Sequence, residues 1–325
     1  MHVSDALISP QVAGVTALIS CAALFVAVRQ IKKDNDDKII PIMGVTGAFI
    51  FAAQMINFSI PGTGSSGHIV GGILLSTLLG PWAALITLTS VLVIQCLVFA
   101  DGGLMALGSN VLNMAVISCL IFYPFVYKPL IKYPASFIHI MLVSILACTL
   151  SLEAGAIFVV FETELSGITA LPFDKFLLFM MPIHILIGVC EGIATGAAIY
   201  FVQKNRPQLL IGVREKSSKS DGLGLKITAV IFSLALLIGV LFNWIASSDP
   251  DGLEWSILKV TGGSEVANSS NKGALFDKIQ QSTAVIPDYE NYFSGIIGVV
   301  LVVVVVWVIA TFLQRRNKSV TKENE

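Results

Sequence analysis

The sequence predicts an all-α protein, a polytopic transmembrane helical bundle of about seven spans followed by a C-terminal unit of about two more. Three observations carry this. Hydrophobic residues make up 55% of the 325 and charged residues only 13%, whereas a soluble domain is roughly a quarter charged. The mean hydropathy is +0.84. Apolar runs of about 20 residues, each enough to cross roughly 30 Å of hydrocarbon, recur along the chain. Finally, Lys and Arg gather in alternate inter-span segments, as the positive-inside rule requires.

The elements follow in order. Ser9 and Pro10 supply an N-cap and a first-turn proline for a helix running to Val28, before the charged stretch Arg29 to Lys38. A second span covers Ile39 to Phe58, and a turn-rich segment runs from Ser59 to Gly67. The apolar stretch from His68 to Ala100 is divided into two helices by Gly80 and Pro81. Further spans are predicted over Leu104 to Val126, Ser136 to Val160 and Phe176 to Val202. Two more follow over Ile227 to Ala246 and Phe293 to Leu313. The resulting units are a membrane domain over 1–205, a cytoplasmic linker over 206–225, a two-span domain over 226–314 with an outer loop at 247–292, and a tail over 315–325. No internal repeat is visible.

With the amino terminus outside and the carboxyl terminus cytoplasmic, 16 of the 20 Lys and Arg lie on the inner side. The exceptions, Lys175, Lys259, Lys272 and Lys278, fall in the two longest outer loops. Met1 to Leu7 holds Asp5 and no Lys or Arg, so the positive region of a signal peptide is missing and the terminus is expected to be retained. A net charge of −1 argues against nucleic acid as a partner, leaving membrane lipid as the surrounding medium. Cys21, Cys96, Cys119, Cys148 and Cys190 lie in apolar runs without a CxxC pair, so they read as buried small hydrophobes.

Two anomalies point to chemistry. The 12 residues from His68 to Leu79 rise only about 18 Å as a helix. His68 is therefore expected inside the membrane's outer half, preceded by a re-entrant loop over Ser59 to Gly67, whose glycines and hydroxyls suit irregular backbone. The second anomaly is His2. A terminal amine, the amide of residue two and its Nδ1 close a five- and a six-membered chelate ring. A fourth nitrogen from His68 completes a planar N4 set, which suits nickel(II), copper(II) or low-spin cobalt(II). On spacing alone, the ordinary reading of a histidine at position two is a solvated residue.

Four segments bear a resemblance. MHVSDALISP at 1–10, NFSIPGTGSSGHIVGG at 57–72, GPW at 80–82 and ADGGLMALGSNVLNM at 100–114 resemble the CbiM/NikM family, the metal-binding membrane subunit of cobalt and nickel energy-coupling-factor (ECF) transporters. The resemblance covers about residues 1–205. It implies that the amine of Met1, the amide and imidazole of His2 and the imidazole of His68 bind the ion. Ser4, Ala6 and the pair Ser65-Ser66 depart from the family's pattern. Pro250-Asp251-Gly252-Leu253-Glu254 resembles the signature of the small CbiN/NikN companion subunit, so the whole resembles a fusion of the two.

Asn57, Gln95, Asn110, Asn113, His184 and Glu191 are candidates to support the ligands, with ordinary packing or interhelical hydrogen bonding as the alternative. His139 and Glu153 are expected to reach the interface or another helix. The chain has no G-x-x-x-x-G-K-[ST] phosphate loop, so it carries no ATPase of that type. The resemblance implies separate ATP-binding cassette subunits and a coupling transmembrane subunit. This chain would then give specificity for nickel(II) or cobalt(II) as transported substrate, in a prokaryotic plasma membrane, with no organic cofactor. The alternatives are a membrane metal sensor, a passive channel, or a metalloenzyme, against which a saturated planar site argues. The C-terminal unit contributes no ligand in this reading, so truncation near Lys219 is expected to preserve metal binding.

Overall fold

The computed structural model describes residues 2–34, 39–214, 233, 235–237, 246–263, 274–289 and 293–322. Most of the eighth predicted span, the linker from 215 onward and the last three residues lie outside these, as does Met1. Among the described residues, five helices are long and apolar enough to cross a membrane. They are α1 (Pro10–Asp34), α4 (Pro81–Phe99), α5 (Leu107–Leu130), α6 (Phe137–Ser166) and α7 (Phe173–Asn205). Shorter elements lie between and after them: α2 (Ile39–Gln54), α3 (Gly72–Leu79), α8 (Gly252–Thr261), α9 (Ala274–Thr283) and α10 (Ser294–Lys322), whose apolar part ends at Ile309.

The helix ends follow local chemistry. Ser9 Oγ accepts from the Val12 amide, and Ser136 Oγ from that of His139. Gly80, at φ 84°, ends α3 by returning its amide to Ser76, and Pro81 opens α4. α4 is the central helix, while α1 is peripheral and turns Val15, Leu18 and Phe25 outward, where lipid replaces water as the solvent for apolar side chains. α6 and α7 lie close because Gly188 and Gly192 leave no room for a β-carbon against the backbones of Thr149 and Ile145. Both helices extend beyond their predicted ends, and Val111–Tyr127 within α5 is wound as a π-helix. Cys21 is exposed on α1 and Cys190 half-buried, unlike the other three, and all five are free thiols. His139 Nε2 donates to the Leu130 carbonyl at the end of the preceding segment at 2.9 Å, while Glu153 is buried.

Two departures from the sequence reading bear on the site. The re-entrant segment is a short antiparallel hairpin, β1 (Phe58–Ile60) with β2 (Ser65–Gly67), pairing Phe58 with Gly67 and Ile60 with Ser65. Pairing the strands satisfies backbone groups that burial would otherwise leave without partners. The third helix starts at Gly72, not His68, because residues 68–71 are held by side chains instead of helical bonds, and Gly71 stands at φ 81°.

Candidate metal centre

Residues 2–8 thread into the bundle. Val3 is fully buried, and Asn110 grips it at both backbone groups: Oδ1 accepts from the Val3 amide at 2.7 Å and Nδ2 donates to its carbonyl at 3.1 Å. The Gly103 amide donates to the same carbonyl at 2.9 Å. Two residues on, the Asp5 carboxyl accepts from the amides of Met105 and Ala106, which lead into α5. These contacts leave the segment no slack. His2 is thereby fixed in depth, its side chain only 8% exposed.

The segment after β2 brings His68 to the same place. Its backbone is held one step further on, where Glu191 of α7 accepts from the Val70 and Gly71 amides at 3.0 and 2.9 Å. Gln54 at the end of α2 donates to the Val70 carbonyl at 2.8 Å. The rings of His2 and His68, 66 positions apart, have centroids 5.1 Å apart and planes within 19° of parallel. Among the described residues, no group of three His, Cys, Asp or Glu side chains is arranged to hold a metal ion.

The remaining wall is the loop after α4. Asp101 Oδ1 lies 3.1 Å from His2 Nδ1, and the Asp101 amide donates to the Gln95 carbonyl. Burial pulls the His2 imidazole below the ordinary histidine pKa, against an opposing pull from Asp101, so the ring stays neutral at neutral pH.

Of the six supporting candidates, four stand at the site itself. Asn110 holds Val3, Glu191 holds the His68 segment, Gln95 lies beside His2, and Asn57 lines the cavity. Asn113 points elsewhere, to Ser109 and to Glu162 of α6. His184 uses Nδ1 on the Met180 carbonyl and turns its other edge to Gly252.

The C-terminal unit, expected to contribute no ligand, packs beside the site. Its PDGLE segment docks on the hairpin. The Ser66 amide donates to the Pro250 carbonyl at 2.8 Å, Ser66 Oγ to the Asp249 carbonyl at 2.7 Å, and Trp255 Nε1 to the Thr63 carbonyl at 2.9 Å. The serine pair that departs from the family pattern is thus the docking edge. Asp251 and Glu254 form a reciprocal capping box that starts α8. Farther on, Gln280 of α9 donates to the Gly102 carbonyl at 2.7 Å, and Tyr289 donates to Asp101 Oδ2 at 2.7 Å. The two units line a cavity of about 540 Å3, whose described lining residues include His2, His68, Asp5, Asp101, Asp249, Asp251, Glu254 and Asp277 and no Lys or Arg. Asp101 lay inside a motif recognised in the sequence. Tyr289 carried no signal at all.

The hairpin's fit yields a prediction. A β-carbon on Gly67 would stand 2.6 and 2.9 Å from Cγ1 and Cγ2 of Ile187, so β2 and the adjoining His68 must shift. Gly67→Ala is expected to lower stability by about 1–3 kcal/mol, the usual cost of overpacking. Adding Ile187→Ala should restore metal retention, measured by metal content after gel filtration. A double variant no better than the single would show that the contact does not set the loop.

Comparison with known proteins places the chain among metal transport proteins. The family model for the cobalt uptake substrate-specific transmembrane region (CbiM) matches residues 2–209, and the PDGLE domain matches residues 225–315. A protein of Archaeoglobus fulgidus named for fused nickel transport (NikMN) is 32% identical over 77% of this chain and 80% of its own length. A protein of Haloquadratum walsbyi named for metal transport is 35% identical over 69% of this chain and all of its own. A crystal structure titled as a truncated transition metal transporter superposes with a TM-score of 0.55 at 31% identity, covering 63% of this chain and 99% of that one.

Proposed function

Because the chain belongs to the cobalt uptake substrate-specific transmembrane family, joined to a PDGLE domain, we propose that it is the specificity component of an ECF-type importer of nickel(II) or cobalt(II). Membership makes it a membrane metal transport protein rather than an enzyme. The ligands in this reading are the Met1 amine, the His2 amide and Nδ1, and the His68 imidazole. Met1 enters by chemistry alone, since it lies outside the described residues.

The pair of imidazoles carries the proposal. With metal–nitrogen bonds of about 2.0–2.1 Å, ring centres on one ion stand about 4.5 Å apart at adjacent corners and about 6 Å apart at opposite ones. The separation of 5.1 Å lies nearer the adjacent arrangement that the chelate demands. The carboxyl-lined cavity supports the reading from outside the ligand set, because its charge draws cations and disfavours anions. Energy would come from ATP-binding cassette subunits acting through a coupling membrane subunit. The amino terminus and the cavity would face outward, and the carboxyl terminus the cytoplasm, in the plasma membrane.

The test is metal analysis of protein purified from cells supplied with nickel and cobalt together, with its co-purifying partners identified. One equivalent of either ion and two nucleotide-binding subunits are expected. A metal-free preparation that competes for neither ion in vitro would refute the assignment. Proton competition gives a further expectation: affinity falls as pH is lowered, because amine, amide and imidazoles must all be free of the proton they would carry. Isothermal titration from neutral to mildly acid pH measures it, and a flat profile would contradict nitrogen ligation.

A further inference from the structure

The two non-glycine residues with positive φ among the described residues meet across one hydrogen bond. Ala100, at φ 56°, immediately precedes Asp101, and Tyr289, at φ 55°, donates to Asp101 Oδ2. Such backbone is costly for a residue with a side chain and persists where surrounding contacts enforce it. Those contacts are present. The Tyr289 ring stacks on Phe99 at 4.7 Å and 18°, the Ile286 amide donates to the Val98 carbonyl at 3.1 Å, and Gln280 holds the Gly102 carbonyl. The strap from α9 to Tyr289 therefore grips the loop on both sides of Asp101, whose other oxygen lies 3.1 Å from His2 Nδ1.

We propose that Tyr289 is a positioning residue for the metal site, acting through Asp101 on the imidazole of His2. With Oδ2 held by the phenol, the Asp101 carboxyl cannot rotate, and Oδ1 stays against the ring edge. That limits rotation of the imidazole about Cβ–Cγ and keeps a negative group beside the nitrogen that meets the ion. Through this side chain the C-terminal unit reaches a proposed ligand of the N-terminal unit. Because Oδ1 faces Nδ1 itself, the nitrogen assigned to the ion, Asp101 stands beside the cation once that nitrogen binds it, and its negative charge there favours binding. The inference rests on the reading of His2 and His68 as ligands.

Tyr289→Phe keeps the ring on Phe99 and removes only the hydroxyl. The full chain in detergent, titrated with nickel(II) against a chromophoric chelator, is expected to bind several-fold more weakly, with faster nickel release and a shifted ligand-field absorption band. Asp101→Ala should weaken binding at least as much, and Tyr289→Phe added to it should change nothing further, since the two act in series. An unchanged or tighter Tyr289→Phe, or the same loss with and without Asp101, overturns the proposal. His68→Ala separates the two levels. If it loads nickel like the parent, the ligand reading has failed and this inference with it. If it loses nickel while Tyr289→Phe matches the parent in affinity, release and spectrum, only the role of Tyr289 has failed.

Discussion

A chain carrying one extra glycine before Met1 is expected to lose high-affinity nickel or cobalt loading, whereas the same residue added after Glu325 leaves loading intact. In the proposed chelate the terminal amine is a ligand, and acylating it removes a nitrogen lone pair and breaks the five-membered ring while every side chain remains. The segment cannot slide to compensate. Asn110 and Gly103 hold both backbone groups of Val3, the Asp5 carboxyl is committed to the amides of Met105 and Ala106, and Val3 is fully buried. The added residue would also have to enter a cavity already walled by the C-terminal unit. The loss should exceed the roughly 10–100-fold that removing an outer partner of a ligand costs. Binding is read by titration, with the intact extension verified by mass spectrometry. Undiminished affinity in that verified protein would falsify amine ligation.

The extent to which the sequence disclosed this arrangement depends on the range of each contact. Hydropathy located the long helices, and Gly80-Pro81 the break between α3 and α4, because both signals are local. The pairing of His2 with His68 rested on motifs shared with a family, and the structure brings the two rings together. The hairpin is not legible because its strands, Phe58-Ser59-Ile60 and Ser65-Ser66-Gly67, are too short to show a periodicity. The start of α3 was misplaced by four residues because Glu191, over 100 positions away, captures the amides that a helix would otherwise use. The same reason hides the docking of the C-terminal unit: nothing local in Tyr289 or Ser66 signals a partner more than 180 positions distant.

His68→Ala should abolish high-affinity loading while leaving the fold in place. The loop does not depend on the imidazole for its course: Glu191 and Gln54 hold Val70 and Gly71, and β2 is fixed by β1 and by the PDGLE segment. Removing the ring takes away one of four nitrogens and leaves the amine, amide and imidazole chelate open at one corner. Glu191→Ala acts differently, since it frees the loop that carries an intact ligand, so it should lower both metal affinity and thermal stability. The pair therefore separates ligation from scaffolding: His68→Ala loses metal with its melting temperature nearly kept, and Glu191→Ala loses some of each. Chemical rescue sharpens the test. Free imidazole can occupy the space left at position 68 and supply the missing nitrogen, so it should restore part of the nickel binding of His68→Ala. It should not rescue His2→Ala, because a free ring cannot close a chelate that requires covalent attachment to the second residue. Equal rescue of both variants, or full nickel loading of His68→Ala without imidazole, would be incompatible with a planar site built on the amino terminus.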